Sequence, residues 1–428
     1  MKHIASLCDF LDASPVNFWA VNTAIGLLEN QGFSRLDMAD AWTLQPGDRR
    51  YVVQNGSAVF AFIAGEGAPS DGFNIIAAHS DSPGFRIKPN AEMPCEGGAV
   101  KLNTEVYGGP ILYTWFDRPL SVAGRVALRS DNPLCPRMEL MRVDRPLLTI
   151  PHLAIHFNRA VNEGNHLSKQ KDMLPVIALS CPQPKGLVRT LISEQLDVDP
   201  DTILDYDLSL YDTERAGTVG LENEMVCSGR IDDLSMVHAA VTALLANIDK
   251  PSRLTRVAAI FDNEETGSGT KQGAGSPILE HIMRRVVVCL GGDSHDFMRA
   301  VANSFMISAD NAHGLHPNYV EKQDPTNHPV LGGGPCIKIN ANCKYMTDAD
   351  SAAVFRAICE EAGVPCQYFV NHSDVAGGST LGNILTSQIP LRGVDMGAPL
   401  WAMHSVRETA SCADHIATIA AFTTFFSL

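Results

Sequence analysis

Two glutamates, Glu264 and Glu265, stand side by side just after the apolar run "RVAAIFD". Neighbours on a strand point to opposite faces, so a pair leaving a strand end can serve two tasks. One carboxylate can face a cation while the other moves a proton. Other chemistry-bearing residues close apolar runs in the same way. His79 ends "NIIAAH", Asp310 follows "SFMISA", Asp232 opens a helical segment after "CSGRI", and His404 lies in "WAMHSVRE". Two histidines with several carboxylates suit Zn²⁺, Co²⁺ or Mn²⁺, and a set without cysteine disfavours a structural zinc site. A carboxylate shared by two ions about 3.5–4 Å apart is the usual bridge in such centres. Each residue also has an ordinary reading by itself. Asp232 can cap a helix, Asp81 can make an Asx turn before Pro83, the glutamates can be solvated loop charges, and either histidine can be structural. The metal reading rests on joint placement.

That placement depends on the elements around these residues. From about residue 224 short buried-strand runs alternate with helical patterns: "RVAAIFD", "RVVVCLGGD", "SFMISAD", "PCIKIN" and "IPLRGVD" read as strands, and "DDLSMVHAAVTALLANI" and "DADSAAVFRAICEEAG" as helices. Such alternation implies an α/β domain with a mainly parallel sheet covered on both faces. Ligands in open α/β sheets bind outside the carboxyl ends of the strands, which would bring the candidate residues to one rim. Residues 1–35 read as helical, "YVVQNGSAVFAFIAGEG" as a hairpin around Asn55-Gly56, and "FNIIAAH" as a buried strand. Between residues 89 and 223 short β-like pieces are separated by turns, which reads as an inserted, mostly β module. The expected organisation is a catalytic domain from 1–88 and 224–428, interrupted by a β-rich module at 89–223. The "GGGP" run at Gly332–Pro335 leads into a strand rather than a helix, which argues against a phosphate cradle, whereas "GGST" at Gly377–Thr380 can open a short helix near the rim.

Composition narrows the function classes. The formal charge of −15 argues against nucleic acid, whose phosphates want a basic face. No apolar run is long enough to span a bilayer, and Asp9 and Asp12 interrupt the N-terminal segment where a secretory signal would be continuously apolar. Neither a membrane nor a nucleic acid is therefore expected as partner, and the cytoplasm is the expected location. The 11 cysteines contain no C-x-x-C pair and read as reduced thiols.

Longer motifs are more specific than any of these signals. "AAHSDSPGFRIKP", "EVYGGPILYTWFDRPLSVAGRV", "IPHLAIHFNR", "GRIDDLSM", "FDNEETGSG", "SADNAHGLHPN", "GGGPCIKIN", "YMTDADS" and "MHSVRE" occur in that order. Over most of its length the chain thus resembles the aspartyl aminopeptidase family of two-metal exopeptidases. The resemblance implies a metallopeptidase domain with an inserted β dimerisation domain. It implies two divalent ions, zinc first and cobalt or manganese as alternatives. His79 and Asp310 would hold one ion, Glu265 and His404 the other, and Asp232 both. Glu264 would be the general base, and Asp81 would orient the His79 imidazole. Lys338 and Tyr345 match positions lining a pocket for an acidic side chain. His156 matches a histidine that reaches the active site of a neighbouring subunit. The implied assembly is a dimer-based homo-oligomer, a dodecamer in the family, and the implied substrate is a peptide with an acidic first residue. Two positions depart from the pattern: Asp233 stands where relatives carry Asn, and Lys344 where Arg is common. A related two-metal deacylase or dipeptidase, a broader-specificity aminopeptidase and a catalytically silent assembly or metal-storage protein are the competing readings.

Overall fold

A computed structural model describes residues 2–428. The chain divides into two compact units. The first comprises the chain up to Asp81 together with Ala216–Met403 and Glu408–Leu428. The second comprises Ser82–Arg215 and the short segment His404–Arg407. The sequence reading set its boundaries at 88/89 and 223/224. The contacts divide the chain earlier at both places: the long strand Gly84–Pro94 pairs within the second unit, and Gly217–Val219 pairs with Met225–Ser228 within the first.

The first unit is built on a nine-stranded sheet. Its centre is three neighbouring strands, Thr255–Phe261, Phe73–His79 and Phe305–Ala309, all parallel, with Arg392–Gly397 continuing parallel beyond them. These strands are apolar and almost wholly buried, as a sheet covered on both faces requires. The faces alternate by residue. Ile76, Ala78, Ala258 and Ile260 pack into one core with the helices Lys2–Ala13, Ile231–Leu245 and Cys412–Phe425. Ile75, Ala77, Val257, Ala259 and Phe261 pack into the other, with Ile278–Cys289 and Leu381–Gln388. Parallel pairing in near register places the strands' last residues at the same edge, where the sheet meets its loops. The α/β architecture with a mostly parallel, helix-flanked sheet is as the sequence pattern predicts.

One expected strand is a helix. "RVVVC" ends the helix Ile278–Cys289 rather than forming a strand. Ile278, Leu279, Ile282, Met283, Val286 and Val287 are buried at helical spacing, while Val288 is exposed. Three successive valines carry high strand propensity, but packing along the helix face overrides it. The other expectations match closely. The hairpin pairs Arg49–Gln54 with Ala58–Ile63 around Asn55 and Gly56, both at positive φ. The helix Ala349–Glu361 opens on a capping box between Asp348 and Ser351 and ends before Gly363, at φ 67°. Residues 2–29 form two helices, Lys2–Ala13 and Asn17–Glu29, with Pro15 in the break between them.

The second unit is mainly β. Its six-stranded sheet includes antiparallel pairings of Leu120–Leu128 with Arg137–Arg142 and with Ile203–Asp212. Phe85, Trp115, Leu120, Val122, Ile150 and Leu208 belong to its own core. One helix, Leu187–Leu196, packs on it through Val188 and Ile192. Among the described residues no helix is long and apolar enough to cross a membrane.

Candidate metal centre

His79 is the last residue of its strand, and its register partner on the neighbouring strand is Phe261, the last residue there. Asp310 follows Ala309 at the end of the third parallel strand. The chain beyond Phe261 turns through Asn263, at φ 60°, into a single helical turn Glu264–Thr266. Parallel pairing in register therefore delivers His79, the glutamate pair and Asp310 to one edge of the sheet. Asp232 and Asp233 come from the opening of the helix Ile231–Leu245, where both still have non-helical backbone angles.

At that edge His79, Glu264 and Asp310 each offer a ligand atom within 4.8 Å of the others, and so do His79, Asp232 and Asp233. The His79 imidazole is buried, with Nε2 3.6 Å from Asp232 Oδ1. Its Nδ1 lies 3.0 Å from the Asp81 carbonyl oxygen and 3.4 Å from Asp81 Oδ1. Asp81 also joins the histidine to the glutamate pair. Its two carboxylate oxygens accept the backbone N–H groups of Glu264 and Glu265, at 3.1 and 3.2 Å. One buried carboxylate thus fixes the turn that carries both glutamates. Asp233 Oδ2 accepts the His79 N–H at 3.1 Å, and Glu408 Oε2 accepts the Asp232 N–H at 3.0 Å.

The electrostatics of so many buried carboxylates are severe. Burial pushes Glu264 up to about 8, with Asp310, Glu265 and Asp81 adding to the rise and His79 opposing it. Burial also raises Asp233 well above the usual carboxylate range, against the pull of His79. For His79 burial disfavours the charged form, but Asp233, Asp232 and Asp81 outweigh it and hold the imidazole well above its ordinary value. Lys338 donates from Nζ to Asp310 Oδ1 at 2.9 Å and is itself buried. Burial works against its charge, but Asp310 and its neighbours raise its pKa, so it stays an ammonium ion. The residues fit a divalent cation. The donors are imidazole and carboxylate, and Asp233 Oδ1 is buried without a hydrogen-bond partner among the described residues.

The remaining sequence candidates fall as follows. Tyr345 is buried in the first unit, its ring centroid 5.8 Å from Lys338 Nζ. His404 opens the segment that groups with the second unit. It has φ 68°, and its Nδ1 is 3.1 Å from the Gly109 carbonyl oxygen. His156 lies in the second unit on the exposed turn Ile155–Phe157. Lys344 is exposed. Sequence reasoning passed over Asp262, Glu408 and Asp395. Asp262 directly follows the strand that ends at Phe261, accepts from Asn17 Nδ2 at 3.0 Å, and is raised to about 6 by burial and by Asp81. For Asp395 a signal existed: a carboxylate in the apolar run "GVDMG" is expensive to bury without partners.

Residues 10–426 match the family model described as aminopeptidase I zinc metalloprotease (M18). The chain is 48% identical over 431 residues to a "Probable M18 family aminopeptidase 2" of Clostridium novyi, covering 100% of this chain and 99% of that one. It is 44% identical to a protein of the same description from Pseudomonas aeruginosa, covering 95% and 94%. Among solved structures it resembles a chain in the cryo-EM structure of the Ape4 and Nbr1 complex. That match has a TM-score of 0.96 at 34% identity and covers 100% of this chain and 85% of that one.

Proposed function

This chain belongs to the M18 family of zinc metalloproteases and is a metal-dependent aminopeptidase; from that premise we propose that it removes acidic N-terminal residues from peptides, with Glu264 as general base. The observation that carries the proposal is the Asp81 clasp on the amides of Glu264 and Glu265 beside His79. It pins the backbone of both glutamates in the turn, with a Glu264 carboxylate oxygen within 4.8 Å of ligand atoms of His79 and Asp310. A divalent cation, when bound, supplies Lewis acidity and lowers the pKa of water. The protein's part is position and proton transfer. Asp81 orients the His79 imidazole through Nδ1, leaving Nε2 for the cation. Glu264 takes the proton of the attacking water and delivers it to the leaving amine nitrogen.

The same proposal assigns His79 and Asp310 to one ion, Glu265 and His404 to a second, and Asp232 to both, with zinc as the resident metal. Lys338, a buried ammonium beside Tyr345, attracts the carboxylate of an acidic first residue. The inserted unit serves assembly in a homo-oligomer, with His156 reaching a neighbouring subunit. Leu153, Ile155 and Phe157 support this, because they expose apolar surface on both sides of His156. The proposed location is the cytoplasm.

A panel of aminoacyl-arylamides, assayed after chelation and after adding back zinc, cobalt or manganese, tests the reading. Activity should vanish with chelator, return with metal, and be highest on Asp and Glu derivatives. Activity on N-acetyl amino acids without activity on free-amine substrates would make the protein a deacylase instead.

A further inference from the structure

Asp395 is fully buried on the strand Arg392–Gly397, outside the groups of residues able to hold a cation. Its two oxygens are divided between two separate stretches of chain. Oδ2 accepts the Met346 N–H at 2.6 Å, immediately after Tyr345. Oδ1 accepts the Thr380 hydroxyl at 2.6 Å, at the cap of the helix Leu381–Gln388. The Asp395 N–H donates to Thr347 Oγ1 at 2.9 Å, adding a second tie to the Tyr345 turn. The helix reaches the carboxylate because residue 382 is glycine: a Cβ there would lie 2.5 Å from Asp395 Oδ2. Burial raises the Asp395 pKa, and the Ser308 and Thr380 hydroxyls, the Met346 N–H and Lys338 oppose that rise.

We propose that Asp395 is the positioning residue of the Lys338–Tyr345 pocket, clamping the Tyr345–Met346 turn and the Thr380 helix cap to the sheet. This rests on the pocket assignment made under Proposed function. Both partners are donors, and each takes one oxygen of an acceptor-only group. Asparagine offers one acceptor oxygen and an NH₂ that must face one of the donors. Asp395 lies 49 positions from Met346 and 15 from Thr380 along the chain, so the fold brings the two stretches to one carboxylate.

Asp395→Asn, read in the intact metal-loaded enzyme, is the test. Exchange of the Met346 amide should accelerate about 10- to 100-fold, the loss of a hydrogen bond to a charged group. The kcat/KM ratio for Asp- over Ala-arylamide should fall about 10-fold, mainly through KM of the acidic substrate, with metal content unchanged. Unchanged Met346 exchange, or equal losses on both substrates, would overturn the proposal. If Asp395→Asn does not fold, Thr380→Val keeps the carboxylate and removes one donor. It should lower the same ratio, and an unaltered ratio overturns the clamp. A wild-type enzyme without acidic preference would sink the pocket assignment separately, since the Met346 exchange does not depend on substrate.

Discussion

Replacing Lys338 by methionine tests how the site carries its charge. Lys338 Nζ is 2.9 Å from Asp310 Oδ1, and both groups are largely shielded from solvent. At an effective dielectric of about 20 the attraction is roughly 6 kcal/mol. Desolvation offsets part of it, and breaking a buried pair from one side typically costs about 3–5 kcal/mol. In the metal-free protein that cost is felt in full, because Asp310 is left among Asp232, Asp233 and Glu264. A bound dication supplies the missing positive charge. Lys338→Met should therefore lower Tm by about 6–10 °C in chelator, taking about 2 °C per kcal/mol for a large unit. With saturating zinc the drop should be less than half of that. Thermal unfolding of both proteins in both conditions measures it. An equal drop with and without zinc would refute the reasoning and reduce Lys338 to a packing residue.

Two further predictions follow from the same geometry. Asp81→Asn should weaken zinc affinity by about 10–100-fold, the usual effect of losing a carboxylate that orients a ligand imidazole, as read by competition with a chromogenic chelator; unaltered affinity would detach Asp81 from the metal site. His238 gives a pH dependence away from the site. It is buried between Ser6 and His415 at 3.0 Å from each, with its pKa lowered to about 4 by burial and by His3. The unfolded chain, with an imidazole near 6.5, binds more protons than the folded one between about pH 6.5 and 4. Stability should fall as pH drops through that window, by about 2 kcal/mol between pH 7 and 5. His238→Gln should flatten the fall in Tm relative to wild type, and parallel pH profiles would remove His238 as its source.

Much of this arrangement was legible in the sequence. The strands ending at His79, Phe261 and Ala309 are short apolar runs with polar residues at their ends, so the rule for open α/β sheets placed His79, Glu264, Glu265 and Asp310 together. The valine run at 286–288 misled because local propensity and burial point in opposite directions there. What could not be read is the support behind the ligands. Asp81 clasping amides 183 and 184 positions away, or Asp233 holding the His79 backbone from 154 positions away, depends on how the loops meet at the sheet edge. No spacing rule encodes it. Asp395 escaped notice for the same reason, since its partners lie on two other loops. The earlier start of the inserted unit reflects one continuous strand, Gly84–Pro94, whose polar and apolar residues do not mark its end.

The division of labour between the two glutamates is the centre of the account, and metal content measured beside turnover tests it most directly. Glu264→Gln should keep the wild-type metal complement and lose about 10²–10⁴-fold in kcat. Glu265→Gln should lose metal. A Glu264→Gln protein that folds but has lost its metal, beside a Glu265→Gln protein that keeps it, would contradict the assignment and exchange the two roles.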